Sequence, residues 1–324
     1  MTDMGPATYV LGIKITRDQN TKFLYLDQKN YLEKVLKKFK MAESKVLNTS
    51  VSKGTILSKN MCSKNKKEHE FMEKVPYAQA VGSLRYAMTS TGPNICHVVG
   101  LVSRYQSNLG MAHWQAVKRI FRYLQGTKGM KLCFGIIDLE IIGYTNADFV
   151  GDVDDRKSSS SHVFLFGGTI VSWLCKKQGC VAKHTIEAEH ISCSTAVSEA
   201  VWIKRFVNSL KLSILSRLID VFCDDKSTIS LIKSGANSSK SKHIETNNHY
   251  IQDIVERGEI RVRFIPSSVM VVDPMTKGLT LDKFKVHVGN MRLVNPKTKM
   301  IYYTYLHRWM DWGRLENMAM QLLL

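Results

Sequence analysis

The stretch that decides the fold runs from residue 143 to residue 173 and reads GYTNADFVGDVDDRKSSSSHVFLFGGTIVSW. Together with its flanks it contains runs of β-branched and aromatic residues at about 139–149, 162–167 and 169–174, separated by polar or glycine-rich residues. Side chains of these types favour strands, and the Gly167-Gly168 pair is typical of a turn between two strands. The pattern therefore predicts three consecutive strands joined by turns.

The sequence after this stretch alternates between helical and strand patterns. The predicted elements are a long helix at about 186–210, a strand at 219–223, helices at 226–234 and 243–257, a strand at 259–265 and a short helix around 273–285. Three strands followed by helices and two more strands imply a mixed sheet that is covered by helices. We therefore predict an α/β domain with a five-stranded mixed sheet and flanking helices.

The sequence before residue 137 has a different character. Two β-rich runs within 8–26 flank a polar turn and predict a hairpin, and an apolar stripe over 28–41 predicts a helix. Residues 51–75 are polar and rich in lysine, which favours an exposed linker. Helical patterns return over 76–130. The last stretch, 291–324, fits no continuation of the α/β pattern and is treated as an appended tail.

The composition favours a polyanionic partner. The chain of 324 residues has 46 Lys and Arg against 28 Asp and Glu, a formal net charge of +18. Such an excess favours salt-dependent attraction to nucleic acid, although it also fits a generically basic soluble protein. The seven cysteines show no metal-binding spacing and are expected to be reduced. Because no signal peptide or membrane span is visible, we expect an intracellular protein, cytoplasmic or nuclear, that does not contact a membrane.

Acidic and amide side chains recur at the ends of the predicted elements. They occur in the segments GYTNAD, IEAEH, VFCDD and VVDPMTK, and the residues are Asn146, Asp148, Glu187, Glu189, Asp224, Asp225 and Asp273. Each of them alone fits a solvated surface group. Open α/β sheets, however, assemble ligand sites near strand ends, and hydrolysis of a phosphodiester by two metal ions needs several converging carboxylates. The placement therefore predicts a common metal site.

Two sets of segments resemble a known family, and each set follows the family's order. The stretch from 143 to 173, together with IEAEHISCSTAVSEAVWIKR, VFCDDKSTISLI, SKHIETNNHYI and IPSSVMVVDPMTKGL, is similar to the ribonuclease H domain of plant retrotransposons of the Ty1/copia type. The segments LGIKITRD, YLEKVLKKFKM, VPYAQAVGSLRYAM and HWQAVKRIFRYLQGTKGMKL resemble the end of the reverse transcriptase of those elements and its connection to the nuclease. The resemblance spans roughly residues 5–290.

The resemblance gives the predicted segments their identities. It implies a C-terminal fragment of a Pol polyprotein with the following parts: a reverse transcriptase remnant at 1–50, the lysine-rich linker at 51–75, a helical connection at 76–130, a ribonuclease H-like domain at 137–290 and the atypical tail at 291–324. The fold class expected is therefore a ribonuclease H-like α/β sheet, preceded by a remnant built of a hairpin and helices.

The resemblance also implies the roles of the site residues. The four metal-binding and catalytic positions of the family correspond to Asn146, Glu189, Asp224 and Asp273, with Glu187 as the alternative to Glu189. The cofactor implied is a pair of Mg²⁺ ions, or Mn²⁺. A fifth residue, His243, matches a family histidine that assists proton transfer or product release, although an exposed histidine at a helix start fits equally well.

Asn146 stands where the family has an aspartate that bridges both metals. An amide oxygen is neutral and binds Mg²⁺ more weakly than a carboxylate does. Asp148 lies on the same face of the strand, but it is displaced by roughly 6–7 Å, which is too far for a simple replacement. Other departures from the family are Ser161-His162 and Ile186. These changes predict an impaired nuclease.

Three functions remain open at this stage. The first is an endonuclease that cuts RNA in RNA–DNA hybrids by a two-metal mechanism. The second is a catalytically inactive module that binds the hybrid or another nucleic acid, and the third is a retroelement relic without function. No pair of adjacent aspartates precedes residue 60, so polymerase activity is not expected, and the remaining reverse transcriptase portion is a candidate partner.

Overall fold

A computed structural model describes residues 5–135, 140–210, 218–234 and 242–295, without the side chains of 242–246 and 248. The predicted tail therefore lies outside the described residues, apart from 291–295. The chain divides into two compact units. The first unit takes the residues before 138 and those after 277, and the second unit is formed by residues 138–277. Within the described parts, no helix is long and apolar enough to cross a membrane.

The second unit contains a mixed five-stranded sheet. Its strands are β5 (Ile141–Asp148), β6 (Ser159–Phe166), β7 (Thr169–Lys177), β8 (Ile219–Cys223) and β9 (Ile260–Phe264), in the spatial order β7-β6-β5-β8-β9. β6 is antiparallel to both β5 and β7, whereas β8 runs parallel to β5 and β9 runs parallel to β8. This order confirms the predicted ribonuclease H-like sheet.

Helices α6 (Thr185–Ser209), α7 (Lys226–Ser234) and α8 (Lys242–Glu256) complete this unit. Helix α6 packs on β5 and β6 through small buried residues four positions apart, namely Ala188, Ser192, Ala196 and Ala200. Residues at this spacing share one helix face, and small side chains let the helix approach the sheet closely. The Ser192 hydroxyl donates to the backbone carbonyl of Asn146 at 2.7 Å, which fixes the helix against the end of β5.

The first unit combines an antiparallel sheet with helices. Its strands are β1 (Tyr9–Val10), β2 (Ile13–Asp18), β3 (Phe23–Asp27), β4 (Lys131–Gly135) and β10 (Leu293–Val294), in that spatial order. Its helices are α1 (Lys29–Lys38), α2 (Lys66–Glu73), α3 (Tyr77–Ser90), α4 (Cys96–Val102), α5 (Met111–Thr127) and α9 (Leu281–Asn290). The predicted hairpin, the helix after it and the helical stretch over 76–130 are confirmed.

The structure corrects two expectations about this unit. The lysine-rich segment 51–75 is not wholly exposed, because Val51, Leu57 and Met72 are buried and helix α2 forms within it. The Asn65 side chain caps this helix by accepting the backbone N–H of Glu68 at 2.9 Å. The short helix predicted around 273–285 is instead a 3₁₀ turn at Asp273–Met275 followed by α9, which belongs to the first unit. The predicted domain boundaries stay predictions.

Candidate functional site

Four elements of the second unit bring the predicted site residues together. Asn146 lies near the end of β5, and Asp224 follows the last residue of the parallel neighbour β8. Glu189 lies in the first turns of α6, and Asp273 opens the 3₁₀ turn. Asn146, Glu189 and Asp273 are buried, whereas Asp224 is half-buried. The end of the β5–β8 strand pair therefore holds the candidate site.

Asn146 is bound to one of the predicted ligands. Its Nδ2 donates to Oδ1 of Asp273 at 3.0 Å. Because an ionised carboxylate only accepts hydrogen bonds, it is the nitrogen of the amide that faces Asp273. An aspartate at position 146 would place a carboxylate oxygen there instead. The substitution thus puts an N–H group where a metal ion requires an oxygen.

The second carboxylate oxygen of Asp273 forms an ion pair. Lys277, one helical turn later, places its Nζ 3.1 Å from Oδ2 of Asp273. Half of the Lys277 side chain is exposed, so the ion pair is screened by solvent and contributes little to stability. Its consequence is local: the negative charge of Asp273 is compensated by protein groups without a metal ion.

Glu189 occupies the most buried position among the carboxylates of the site. Its relative exposure is 4%, and both of its carboxyl oxygens lie 3.1 Å from the backbone nitrogen of Ala147, which donates to them. Burial raises the pKa of Glu189 to about 8; the Ala147 N–H lowers it, Asp224 and Asp225 raise it further, and Lys277 lowers it. A buried carboxyl of this kind is largely neutral at pH 7 unless a cation binds to it.

Glu189 and Asp224 form a tight group with a cysteine. One potential ligand atom from each of Glu189, Cys223 and Asp224 lies within 4.8 Å of the other two. Asp224 also accepts a hydrogen bond from the Ser267 hydroxyl at 2.7 Å. The spacing of the seven cysteines in the sequence did not indicate Cys223 as a site residue. Its position directly before Asp224, at the end of a strand, was the available signal.

The remaining acidic candidates have other partners. Glu187 accepts the backbone N–H of Lys183 at 2.6 Å, at the start of α6. Asp225 accepts the backbone N–H groups of Ser227 and Thr228 at 3.1 and 3.0 Å, and so caps α7. Asp148 packs against the backbone of Gly151, where an added Cβ would lie 1.8 Å from its Oδ2. For His243 only the backbone, within α8, is described.

At residues 161 and 162, where the chain differs from the family pattern, both side chains fit into the packing of the sheet. Ser161 pairs with Asn146 across β5 and β6, and its hydroxyl donates to the carbonyl of Met275 at 3.2 Å. His162 is 4% exposed, its ring packs edge-on against Phe164, and burial lowers the pKa of His162 to about 4. Both side chains thus belong to the packing around the site and leave its carboxylates untouched.

Known proteins similar to this chain include retrotransposon polyproteins of plants. The Retrovirus-related Pol polyprotein from transposon TNT 1-94 of Nicotiana tabacum is 43% identical over 286 residues, which are 88% of this chain and 21% of that protein. The polyprotein from transposon RE1 of Arabidopsis thaliana is 31% identical over 279 residues, 86% of this chain and 18% of that protein. The chain thus spans about a fifth of the length of these polyproteins. No protein-family model matches it.

Among solved structures, LC11-RNase H1 in complex with an RNA/DNA hybrid covers 44% of this chain and 98% of its own, with 15% identity and a TM-score of 0.33. This overlap is partial, so the ribonuclease H-like assignment rests on the strand order of the second unit. The sequence similarity to the plant polyproteins extends over most of both units. The chain therefore belongs to the family of Pol polyproteins of Ty1/copia-type retrotransposons.

Proposed function

We propose that the chain binds RNA–DNA hybrids, and that its second unit is a ribonuclease H-type nuclease whose cleavage of the RNA strand is impaired by Asn146. Support comes from the ribonuclease H-like sheet order, from the proximity of Glu189 on α6 to Asp224 at the end of β8, and from the family of the chain. The alternative of a catalytically inactive binding module shares all of these features and differs only in having no residual cleavage.

One observation carries the proposed impairment: Nδ2 of Asn146 donates to Asp273 at 3.0 Å. In the family, the aspartate at this position is the ligand expected to bridge two metal ions. Here the amide and Lys277 between them engage both oxygens of Asp273. The site lacks the negative charge of a carboxylate at position 146, and the charge of Asp273 is compensated by Lys277. Both changes lower the attraction of the site for a hard divalent cation.

The residues present fit such a cation in part. Glu189, Asp224 and Asp273 supply the carboxylate oxygens that Mg²⁺ prefers, whereas Asn146 does not fit the place of the bridging ligand. Bound metal ions would activate the attacking water and stabilise the departing oxygen. In their absence, Glu189 retains its proton at neutral pH through burial, so the site itself avoids an uncompensated charge.

Binding of the hybrid is proposed to depend on the first unit. That unit carries 29 Lys and Arg against 11 Asp and Glu, which accounts for the whole net charge of the chain. Contacts from such residues to phosphates give affinity without reading the base sequence. The first unit contains no adjacent pair of acidic residues, so we propose no polymerase activity for this chain.

The test is cleavage of an end-labelled RNA–DNA hybrid in Mg²⁺ or Mn²⁺ by the parent chain and by Asn146→Asp. We expect the parent to bind the hybrid and cleave it feebly or not at all, and the Asn146→Asp variant to cleave it faster by orders of magnitude. Asn and Asp have nearly the same shape, so the fold should tolerate the change. The double variant Asn146→Asp, Glu189→Gln is the matched control and should lose the gained activity.

Two results would contradict the proposal. Robust cleavage by the parent would show that Asn146 does not impair the nuclease. A failure of both chains to bind the hybrid would remove the nucleic-acid function altogether. If both bind and neither cleaves, the inactive binding module is the function that remains.

A further inference from the structure

A buried glutamine lies directly after the last residue of β7. The Gln178 side chain is 5% exposed, and its Nε2 donates to Oγ of Ser160 and to the backbone carbonyl of Ala188, each at 2.9 Å. A backbone carbonyl only accepts hydrogen bonds, so it is the nitrogen of the amide that faces Ala188. The amide therefore joins the end of an edge strand to the start of α6, at the residue before Glu189.

The orientation of this amide leaves its own oxygen unsatisfied. Oε1 of Gln178 is buried and accepts no hydrogen bond from the described residues. Turning the amide over would place that oxygen against the carbonyl oxygen of Ala188, where two acceptors would face each other. A buried polar atom without a partner lowers stability, and an apolar side chain of the same length would fill the space without that cost. Packing alone therefore does not account for an amide at this position.

Gln178 completes a ring of contacts around Glu189. The backbone N–H of Ala147 donates to the Glu189 carboxyl group, whose two oxygens lie 3.1 Å from the nitrogen. Ala147 lies opposite Ser160 in the register of β5 and β6, and Ser160 is bonded to Gln178. Gln178 in turn binds Ala188, which precedes Glu189 in α6. Each member restrains the next, so the ring fixes the first turns of α6 at the end of the sheet that holds the candidate site.

We propose that Gln178 is a positioning residue for Glu189. By binding the carbonyl of Ala188, it keeps Glu189 against the backbone N–H of Ala147. The same position brings a Glu189 oxygen within 4.8 Å of an Asp224 oxygen. Metal ligands depend on hydrogen-bonded partners for their orientation, and loss of such a partner weakens metal binding by about 10–100-fold. The inference rests on the proposed function, since it concerns Glu189 as a metal ligand, and it adds a residue that is not itself a ligand.

The first test needs neither a metal ion nor nucleic acid. Hydrogen exchange of the Ala147 amide in the full chain, resolved by NMR under native conditions, reports whether Glu189 stays in place, because Glu189 is the acceptor of that N–H. Gln178→Met keeps the length of the side chain and removes its donor. We expect the Ala147 amide to exchange at least about tenfold faster in Gln178→Met than in the parent, since the start of α6 then opens locally more often.

Ser172→Ala is the matched control. The Ser172 hydroxyl also joins β7 to α6, since it donates to Oε1 of Glu199 at 2.6 Å, but this bond lies well beyond Glu189 along the helix. Ser172→Ala should therefore leave the exchange of the Ala147 amide close to that of the parent. If Gln178→Met fails to fold, which circular dichroism would reveal, Gln178→Glu takes its place, because it keeps the shape of the side chain and replaces the N–H donor with a carboxylate acceptor.

The second test is the affinity for Mg²⁺ of chains that carry Asn146→Asp, measured by calorimetry. Adding Gln178→Met to Asn146→Asp should weaken Mg²⁺ binding about tenfold, whereas adding Ser172→Ala should not. The inference is overturned if Gln178→Met leaves the exchange of the Ala147 amide unchanged, if Ser172→Ala speeds that exchange as much, or if Gln178→Met leaves the affinity for Mg²⁺ unchanged.

The positioning role and the proposed function fail separately. If Asn146→Asp binds no Mg²⁺, the proposed nuclease is contradicted, and the exchange of the Ala147 amide still decides whether Gln178 positions Glu189. If Asn146→Asp binds Mg²⁺ and cleaves the hybrid while Gln178→Met changes neither the exchange nor the affinity, the positioning role alone is contradicted.

Discussion

The two units of this chain differ sharply in charge. The first unit holds 29 Lys and Arg against 11 Asp and Glu, whereas the second holds 17 against 17. The candidate site lies wholly in the neutral unit. The proposed attraction to phosphates and the proposed cleavage thus belong to different units.

Some basic residues of the second unit are paired with carboxylates of the same unit. Arg261 and Arg263 both bind Asp220, at 2.7 and 3.1 Å. Lys177 lies 2.8 Å from the buried Asp152 and 2.6 Å from Asp155. A cation that is paired with a carboxylate gains less from a phosphate, because it must first give up its partner. The neutral unit therefore presents less free positive charge than its count of basic residues indicates.

The largest effect is expected from pH, because the sheet of the second unit buries the ionisable side chain of His162. Burial lowers the pKa of His162 to about 4. An unfolded histidine titrates near pH 6.5, so the unfolded chain binds the proton first and the contribution of His162 to stability is lost as the pH falls from 6.5 towards 4. The titration of His162 alone should remove on the order of 3 kcal/mol of unfolding free energy over this window, whereas Glu189, whose pKa is raised to about 8, contributes stability as the pH falls.

The measurement is chemical unfolding between pH 7 and pH 4 of the parent and of His162→Phe, which removes the titrating group from the sheet. The variant should show a flatter dependence on pH than the parent, whatever its absolute stability. His184→Phe, at an exposed position directly before α6, is the control and should keep the slope of the parent. An equal dependence of the unfolding free energy on pH in the parent and in His162→Phe would contradict the lowered pKa of His162.

The next largest effect is expected from exposed lysines of the first unit. Replacing Lys64, Lys66 and Lys67 with glutamine should weaken hybrid binding roughly tenfold at low salt, because phosphate contacts and the counterions that they release are lost. Fluorescence anisotropy at several salt concentrations measures this, and the salt dependence should become less steep. The matched triple replacement of Lys176, Lys183 and Lys233 in the second unit should change binding less. If the Lys176, Lys183 and Lys233 variant lost more affinity for the hybrid than the Lys64, Lys66 and Lys67 variant, the proposed role of the first unit in binding would be contradicted.

The smallest effect is expected from Asp220→Asn. This change releases Arg261 and Arg263 from their carboxylate, at a cost in stability of about 1 kcal/mol or less, since both arginines are about half exposed. It should increase affinity for the hybrid by a few fold, most visibly at low salt. Thermal unfolding measures the change in stability, and the same anisotropy assay measures the change in affinity for the hybrid. Weaker binding by Asp220→Asn would show that the carboxylate itself supports the interaction.

Local patterns predicted most of the elements of the second unit. The strand at 219–223 and the helix at 226–234 agree with the structure at both ends. Strands β4 and β10 were missed, since they are short and their partners are distant in sequence. The resemblance to Ty1/copia-type elements predicted the four site positions, which are Asn146, Glu189, Asp224 and Asp273. It did not supply the bond between Asn146 and Asp273, which joins residues 127 positions apart.

One feature of the site needed coordinates for a physical reason. The sulfur of Cys223 joins Glu189 and Asp224 only when α6 packs against the end of β8, and no spacing in the sequence encodes that meeting.

The central claim is that Asn146 weakens the metal site by binding Asp273 in place of a cation. Calorimetric titration of Mg²⁺ into the parent and into Asn146→Asp, without nucleic acid, tests it most directly. The account predicts that Asn146→Asp binds Mg²⁺ at least about tenfold more tightly than the parent, because a carboxylate ligand replaces a neutral amide. Equal affinities in the two chains, or tighter binding by the parent, would contradict it.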